Sequence, residues 1–521
     1  MHDQTLMETL RRQVASRPDA MAYAQGDRRL TFQDVERASN QIANALTAMG
    51  VVQGDRVAAL TRHHLDCMLL LLATCKLGAV CMPVNWRLTV AELEYIVDNG
   101  QASFLLVDAD LAGSALQARL PRLKQLVCTE QAGEGLPGFE DWYSRFGTDF
   151  TPVQADTSDA ALQLYSSGTT GLPKGVVLSH QGLLAVAQAI ETDWEFDHRH
   201  VMGNPLPVFH VAGICVLVAT LYTGARTEAY SSFDPAAYLQ SFAAQGITHT
   251  LLVPAMIQFM LQHPAARTAD YRNLRLMAYA GSPISEVVLQ QAAEVFQCKL
   301  VQAYGLTEVS GVATFLSWAD HQAGVPGLLR SAGRPVGGAR LRIVDPTNLK
   351  DLPEGEVGEI WIESIRNLKE YWRNPEATAA AFPEGRNANG GWFRSGDGGY
   401  LKNGYLYITD RIKDMVLSGG ENIYPAEVEN VLMRHPDIAD GAVIGVPNSV
   451  WGEAVKACVV LRPGAQSSEP DIIAFMRANL AHYKCPKSVD FLDALPRNPS
   501  GKILKRILRE PYWQGQARAI A

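Results

Sequence analysis

Four aliphatic hydroxyls (Ser166, Ser167, Thr169 and Thr170), three glycines (Gly168, Gly171 and Gly175) and one lysine, Lys174, fall within Tyr165-Ser-Ser-Gly-Thr-Thr-Gly-Leu-Pro-Lys-Gly175. Glycines let backbone N–H groups approach a polyphosphate closely, hydroxyls add donors, and a lysine adds a positive charge. The spacing is not that of the common nucleotide-binding loop: Gly168 is followed five residues later by Pro173 rather than Gly, and Lys174 by Gly175 rather than Ser or Thr. Kinase and GTPase chemistry is therefore disfavoured. Three more places could do chemistry with a phosphate ester. Thr307-Glu308 closes Tyr304-Gly-Leu-Thr-Glu308, where a carboxylate is suited to a magnesium ion and a hydroxyl to a phosphate oxygen. Read alone, such a pair more often starts a helix with ordinary capping. Asp397 follows Ser-Gly in a predicted loop, where two carboxylate oxygens can accept two sugar hydroxyls or simply cap a turn. Lys502, in Asn498-Pro-Ser-Gly-Lys-Ile503, reads as a loop lysine able to reach a distant site.

Elements that could position these residues follow from the hydrophobic pattern. A chain of 521 residues exceeds what one core supports, so two or more domains are expected. With 47% apolar and 19% charged residues the chain is globular rather than disordered. The formal charge of −8 carries no long like-charge run, which speaks against nucleic acid as a partner. Short apolar runs at Phe104–Val107, Val176–Leu178 and Thr250–Val253 predict strands covered on both faces, and they alternate with amphipathic stretches, an α/β signature. Cys67 to Val84 predicts a buried helix leading to a strand, since Lys76, Gly78 and Pro83 argue against a membrane span. Between about residues 340 and 410 short strand-like pieces separated by Gly, Pro, Asn and Asp predict a β-rich subdomain. The main boundary is placed after it, giving a domain of residues 1–410 and a smaller one of 411–521. Cys67, Cys75, Cys81, Cys128, Cys215, Cys298, Cys458 and Cys485 include no Cys-x-x-Cys pair and sit mostly among apolar neighbours, which predicts reduced core thiols. With no basic-then-apolar start, a cytoplasmic protein is expected; peripheral membrane contact and oligomeric state stay open.

The Tyr165–Gly175 string resembles the signature loop of the adenylate-forming superfamily of acyl-CoA synthetases, peptide-synthetase adenylation domains and luciferases. Further motifs of that family occur in order: Pro207-Val-Phe-His-Val-Ala-Gly213, Tyr304–Glu308, Gly358-Glu-Ile-Trp-Ile362, Trp392-Phe-Arg-Ser-Gly-Asp397, Asp410-Arg-Ile-Lys-Asp-Met415, Ser418-Gly-Gly-Glu-Asn-Ile-Tyr-Pro425 and Pro499-Ser-Gly-Lys502. The resemblance implies a large α/β N-terminal domain with a β-rich subdomain and a small mobile C-terminal α+β domain. It also implies ATP, Mg2+ and coenzyme A as cofactor and co-substrates. By resemblance Ser166, Ser167, Gly168, Thr169, Thr170, Gly171 and Lys174 cradle ATP phosphates, and Glu308 holds Mg2+ beside Thr307. Gly281, Ser282 and Pro283 line the adenine opposite Gln302, Ala303 and Tyr304, while Asp397 and Arg411 hold the ribose. The same resemblance implies that Lys502 is the main catalytic cation. Rotation about Lys413, a position other members fill with Asp, would bring Ser418, Gly419 and Gly420 to the site to admit the pantetheine arm.

His210 resembles the family's aromatic position beside the acyl pocket, and no metal-ligand spacing accompanies it. Val211, Ala212, Gly213, Ile214, Val253, Met256, Tyr279 and Val309 are apolar candidates for the remaining walls, so the acid is expected to be apolar beyond its carboxylate. Phe209 is followed by His210 and not by the Asp of the amino-acid-activating members, which disfavours an amino acid. Glu370-Tyr-Trp-Arg-Asn-Pro-Glu-Ala-Thr378 and the hinge region resemble bacterial medium- to long-chain fatty acyl-CoA synthetases most, with an aryl acid as the alternative. Two rivals remain: a ligase that passes its acyl-AMP to a carrier protein, and a non-catalytic adenylate sensor.

Overall fold

The computed structural model describes residues 4–130, 135–166, 173–411, 414–418, 421–448, 451–497 and 503–514. Two sheets organise the larger part of the chain. The first runs Arg334–Pro335, Thr314–Leu316, Lys299–Tyr304, Leu276–Ala280, His249–Leu252, Val201–Asn204, Arg226–Ala229, Met21–Gln25 and Arg28–Thr31. The second runs Glu370–Tyr371, Lys174–Ser179, Ala160–Ser166, Val80–Pro83, Arg56–Leu60, Phe104–Val107 and Gln125–Cys128. The largest core cluster draws on both sheets and on the helices Phe32–Ala48, His64–Leu77, His180–Asp193 and Val211–Thr223. A second cluster covers the first sheet's other face with Pro235–Ala244, Pro254–Gln262 and Glu286–Phe296. A third covers the second sheet's outer face, drawing on Val90–Gly100 and Ala112–Gln117. Both faces of each sheet are thus buried, which is why its strands read as continuous apolar runs.

The stretch predicted as a buried helix leading to a strand is the helix His64–Leu77, buried along its whole length, followed by Val80–Pro83. Its one lysine, Lys76, is accommodated by Ser39, Asn40 and Glu36 of the neighbouring helix. The β-rich region is an antiparallel sheet of Arg340–Val344, Gly358–Glu363, Trp392–Lys402 and Tyr405–Arg411. The first strand of the following sheet is Val416–Ser418, which pairs with Glu421–Ile423 and meets Gly452–Leu461; Ile438–Asn448 and Ser488–Phe491 complete it around a separate core. All eight cysteines are buried, and none is in a disulfide. Among the described residues no helix is long and apolar enough to cross a membrane.

Two local expectations differ. Asp397 lies inside the strand Trp392–Lys402 rather than in a loop, because Gly396 takes a positive φ of 72° and a register shift at Gly398/Gly399 lets the strand bend and continue. Val253 falls just past its strand, His249–Leu252, and precedes Pro254, which starts the next helix.

Candidate active site

Lys174 and Ser166 face each other across an antiparallel pair, with Tyr165 opposite Gly175, so the two ends of the hydroxyl-rich loop are closed by a ladder. Ser167, Gly168, Thr169, Thr170 and Gly171 lie outside the described residues, as do Lys413, Gly419, Gly420 and Lys502. The loop's base is held tightly. The Tyr165 hydroxyl donates to Asn99 Oδ1 at 2.6 Å and receives a bond from Gln163 Nε2 at 3.3 Å; Gln163 Oε1 in turn accepts from Arg56 Nε at 3.1 Å. The Arg56 guanidinium lies 3.3 Å from the centroid of the Trp372 ring, and burial lowers its pKa to about 10. Trp372 donates its backbone N–H to Gly175 O at 2.6 Å and its indole N–H to Asn99 O at 3.0 Å. A Cβ at Gly175 would stand 2.8 Å from Gln163 Nε2 and 3.1 Å from Trp372 Cβ, so the position has no room for a side chain.

Glu308 reaches this base from the other sheet. After the strand Lys299–Tyr304 the chain turns so sharply that a Cβ at Gly305 would collide with Gly311 O, and Ser310 and Gly311 take positive φ. The turn carries a short helical segment, Thr307–Val309, with no side-chain cap at Leu306, and presents the Glu308 carboxylate to Ser166. Ser166 Oγ donates to Glu308 Oε1 at 3.0 Å, and the Tyr371 hydroxyl donates to the same oxygen at 3.3 Å. Lys174 Nζ lies 5.1 Å from the centroid of the Tyr371 ring. Tyr371 and Trp372 stand in the string that carries the fatty acyl-CoA synthetase resemblance but were not assigned to the site, and Arg56 and Gln163 were not singled out at all: no spacing ties the four to the loop, and only sheet topology brings them there.

Gly281 (φ 87°), Ser282 and Pro283 leave the carboxyl end of Leu276–Ala280, next to Gln302, Ala303 and Tyr304 at the end of the adjacent parallel strand. Ligands of open α/β sheets bind at such strand ends. The Tyr304 hydroxyl donates to Asp397 Oδ2 at 2.8 Å, and Asp397 is paired in register with Arg411. Tyr304 and Asp397 thereby join two sheets at the end of the strand beside Leu276–Ala280, while Ser418 sits on the separate C-terminal sheet.

His210 precedes the helix Val211–Thr223, and its ring centroid lies 4.6 Å from that of Phe209 with the two planes tilted by 48°. Its Nε2 is buried without a hydrogen-bond partner, and burial, with Arg87 adding to it, lowers its pKa to about 4. The imidazole is thus neutral at physiological pH. Val211, Ala212, Val253 and Met256 pack half-buried against the main core, and Val309 and Ile214 are fully buried in it. Gly213 lets the helix approach Pro207, whose carbonyl oxygen a Cβ would strike. Tyr279 is placed differently from these: it packs in the second cluster, and its hydroxyl is 2.9 Å from His321 Nε2. Because His321 Nδ1 lies 2.7 Å from the carbonyl of Ser317, that nitrogen carries the proton and Nε2 accepts from Tyr279.

A hard cation held mainly by nucleotide phosphates needs only one or two protein oxygens. The Glu308 carboxylate fits that need, and among the described residues no group of three or more His, Cys, Asp or Glu side chains forms a metal site by itself.

A family model described as AMP-binding enzyme matches residues 10–372, and one described as AMP-binding enzyme C-terminal domain matches residues 427–502. A fatty acid–acyl-carrier-protein ligase, ScoC of Streptomyces coeruleorubidus, is 37% identical over 99% of this chain and 98% of its own length. A feruloyl-CoA synthase of an Amycolatopsis species is 37% identical over 96% and 98%. The long-chain-fatty-acid–CoA ligase FadD13 of Mycobacterium tuberculosis is 34% identical over 96% and 97%. The crystal structure of ATP-bound MatB from Rhodopseudomonas palustris, 28% identical, superposes with a TM-score of 0.89 over 98% of this chain and 99% of that one. This chain accordingly belongs to the AMP-binding enzyme family and is an acid–thiol ligase.

Proposed function

We propose that the protein joins an apolar carboxylic acid, of medium- to long-chain fatty type, to coenzyme A through an acyl-adenylate. The observation that carries this reading is the meeting of Glu308 with Ser166 beside Lys174, at a loop base closed by the pairing of Tyr165 with Gly175. In the first half-reaction the acid's carboxylate oxygen attacks the α-phosphorus of ATP and pyrophosphate leaves. Lys174 and the loop hydroxyls bind the phosphates, Tyr304 and Asp397 flank the nucleoside, and Lys502 stabilises charge on the pentavalent phosphorus. Magnesium, held through Glu308, would neutralise the pyrophosphate as it departs. In the second half-reaction the thiol attacks the acyl carbonyl carbon and AMP leaves.

The acyl side supports an apolar substrate: Val211, Ala212, Val253 and Met256 carry no charge, and burial keeps His210 neutral. Relatives named for fatty acids and for ferulate both align along nearly the whole chain, so fatty and aryl acids are to be compared directly. The ScoC likeness also favours a second acceptor, the phosphopantetheine thiol of a carrier protein. Pyrophosphate release is to be scored with acids from acetate to long-chain fatty acids, benzoate and coumarate, with coenzyme A or a phosphopantetheinylated carrier protein. Fatty acyl-CoA should form fastest. Acyl-AMP that accumulates with coenzyme A yet clears with the carrier would overturn the choice of acceptor, and preference for coumarate would overturn the choice of acid.

A further inference from the structure

We infer that Tyr371 is a positioning residue that fixes Glu308 and Lys174 relative to each other, and so sets how strongly a divalent cation tightens nucleotide binding. The inference rests on the proposed role of Glu308 in holding the cation. Tyr371 lies on a two-residue edge strand, opposite Val176 of the strand that begins at Lys174. Its phenol oxygen donates to Glu308 Oε1, which also accepts from Ser166 Oγ. Two donors on one carboxylate oxygen fix the rotation of the group, and neither of them uses Oε2. The same ring lies under the Lys174 ammonium, where its π face attracts the charge and restrains a flexible side chain. One residue thus touches both the anionic and the cationic group of the phosphate site.

The backbone of Tyr371 is held independently of its hydroxyl. Its N–H donates to Thr378 Oγ1 at 3.0 Å, and the adjoining Trp372 is bonded to Gly175 O and Asn99 O with its ring against Arg56. Tyr371→Phe should therefore remove one hydrogen bond and leave the fold and the ring in place. Tyr371→Leu removes the π face as well.

The test is calorimetric titration of the full chain, without acid or turnover, with the α,β-methylene analogue of ATP in EDTA and in saturating magnesium chloride. The ratio of the two Kd values measures what the cation adds. Tyr371→Phe should lower that ratio about three- to tenfold while Kd in EDTA stays as in the wild type. Tyr371→Leu should lower the ratio similarly and weaken binding in EDTA by about three- to fivefold more. Glu308→Gln should bring the ratio close to one. If Glu308→Gln does so while Tyr371→Phe keeps the wild-type ratio, the positioning role of Tyr371 fails alone. If Glu308→Gln keeps the ratio, the cation-holding role of Glu308 fails, and that of Tyr371 with it.

Discussion

Gly175 ends the hydroxyl-rich string, and its need is steric rather than conformational. The added Cβ would meet Gln163 Nε2 and Trp372 Cβ, the first held by Arg56 and Tyr165 and the second by its own backbone bond to Gly175. Neither neighbour is free to swing away. Gly175→Ala should cost about 1–3 kcal/mol, the usual range for overpacking, and should weaken ATP binding by displacing the loop's base. Thermal melting and ATP titration of the variant check this; wild-type values in both would show that the Gln163 side chain yields. The residue types of the site were legible in the sequence because phosphate chemistry demands Gly, Ser, Thr, Lys and a carboxylate close together. Tyr371 was not legible. It is 63 positions from Glu308 along the chain, and an aromatic beside a tryptophan reads as core until the edge strand is seen to pair with Lys174–Ser179. The same holds for Tyr279, whose apolar ring suited a pocket wall but whose strand position turns it to the opposite layer.

Among the helices, His64–Leu77 was the easiest to read, since a segment apolar all round belongs in a core. Its one lysine is the informative exception. Lys76 Nζ bonds Ser39 Oγ at 2.8 Å and Asn40 Oδ1 at 2.6 Å and lies 3.0 Å from Glu36 Oε2, all on the helix Phe32–Ala48. Burial lowers its pKa to about 8, against the opposing pull of Glu36. The sign of the linkage follows. Between about pH 8 and the unfolded value of 10.5 the unfolded chain holds a proton that the folded chain has lost, so folding gains stability as pH rises. Below about pH 8 both states are protonated and the cost of burying the charge is fully present, of the order of 3 kcal/mol at most. Melting temperatures of the wild type and Lys76→Met, compared from pH 7 to 10, should converge on or shift toward the wild type as pH rises. A difference that stays flat would mean that Glu36 fully offsets the desolvation. The strand containing Asp397 was misread for a local reason: Ser-Gly-Asp-Gly-Gly carries every turn signal, and only the ladder to Tyr405–Arg411 keeps it extended.

At the scale of the whole molecule, the role proposed for Lys502 requires a lysine 105 positions beyond Asp397 to act at the N-terminal sheets. Lys502 lies outside the described residues, but its flanks are tied to the C-terminal sheet. Arg497 and Ile503 form an antiparallel bridge, and Leu504 N donates to Pro496 O at 2.8 Å. Arg497 pairs with Asp440 at 2.6 Å, and Lys505 with Glu429 at 3.0 Å. Arg509 meets Asp414 at 2.6 Å, with both side chains largely buried at 13% and 12% exposure. Asp414 stands just past Lys413, whereas Arg411 is laddered to Asp397 on the N-terminal side. The residues flanking Lys502 and Asp414 are thus held to one unit, and the strand carrying Asp397 to another. The sequence suggested a boundary after the β-rich stretch from the change in strand and helix pattern, but the ion pairs seen here are single charged residues with no distinguishing spacing. If the lysine is delivered by motion of that unit, it serves the half-reaction in which the unit faces ATP and is withdrawn in the other. Lys502→Ala should then slow acyl-AMP formation by about a hundredfold or more, as loss of a charge-stabilising group does, while thioester formation from supplied acyl-AMP keeps most of its rate. Single-turnover assays of each half-reaction decide it: equal loss in both would mean that Lys502 stays in the site throughout, and that the two units need not move between the steps.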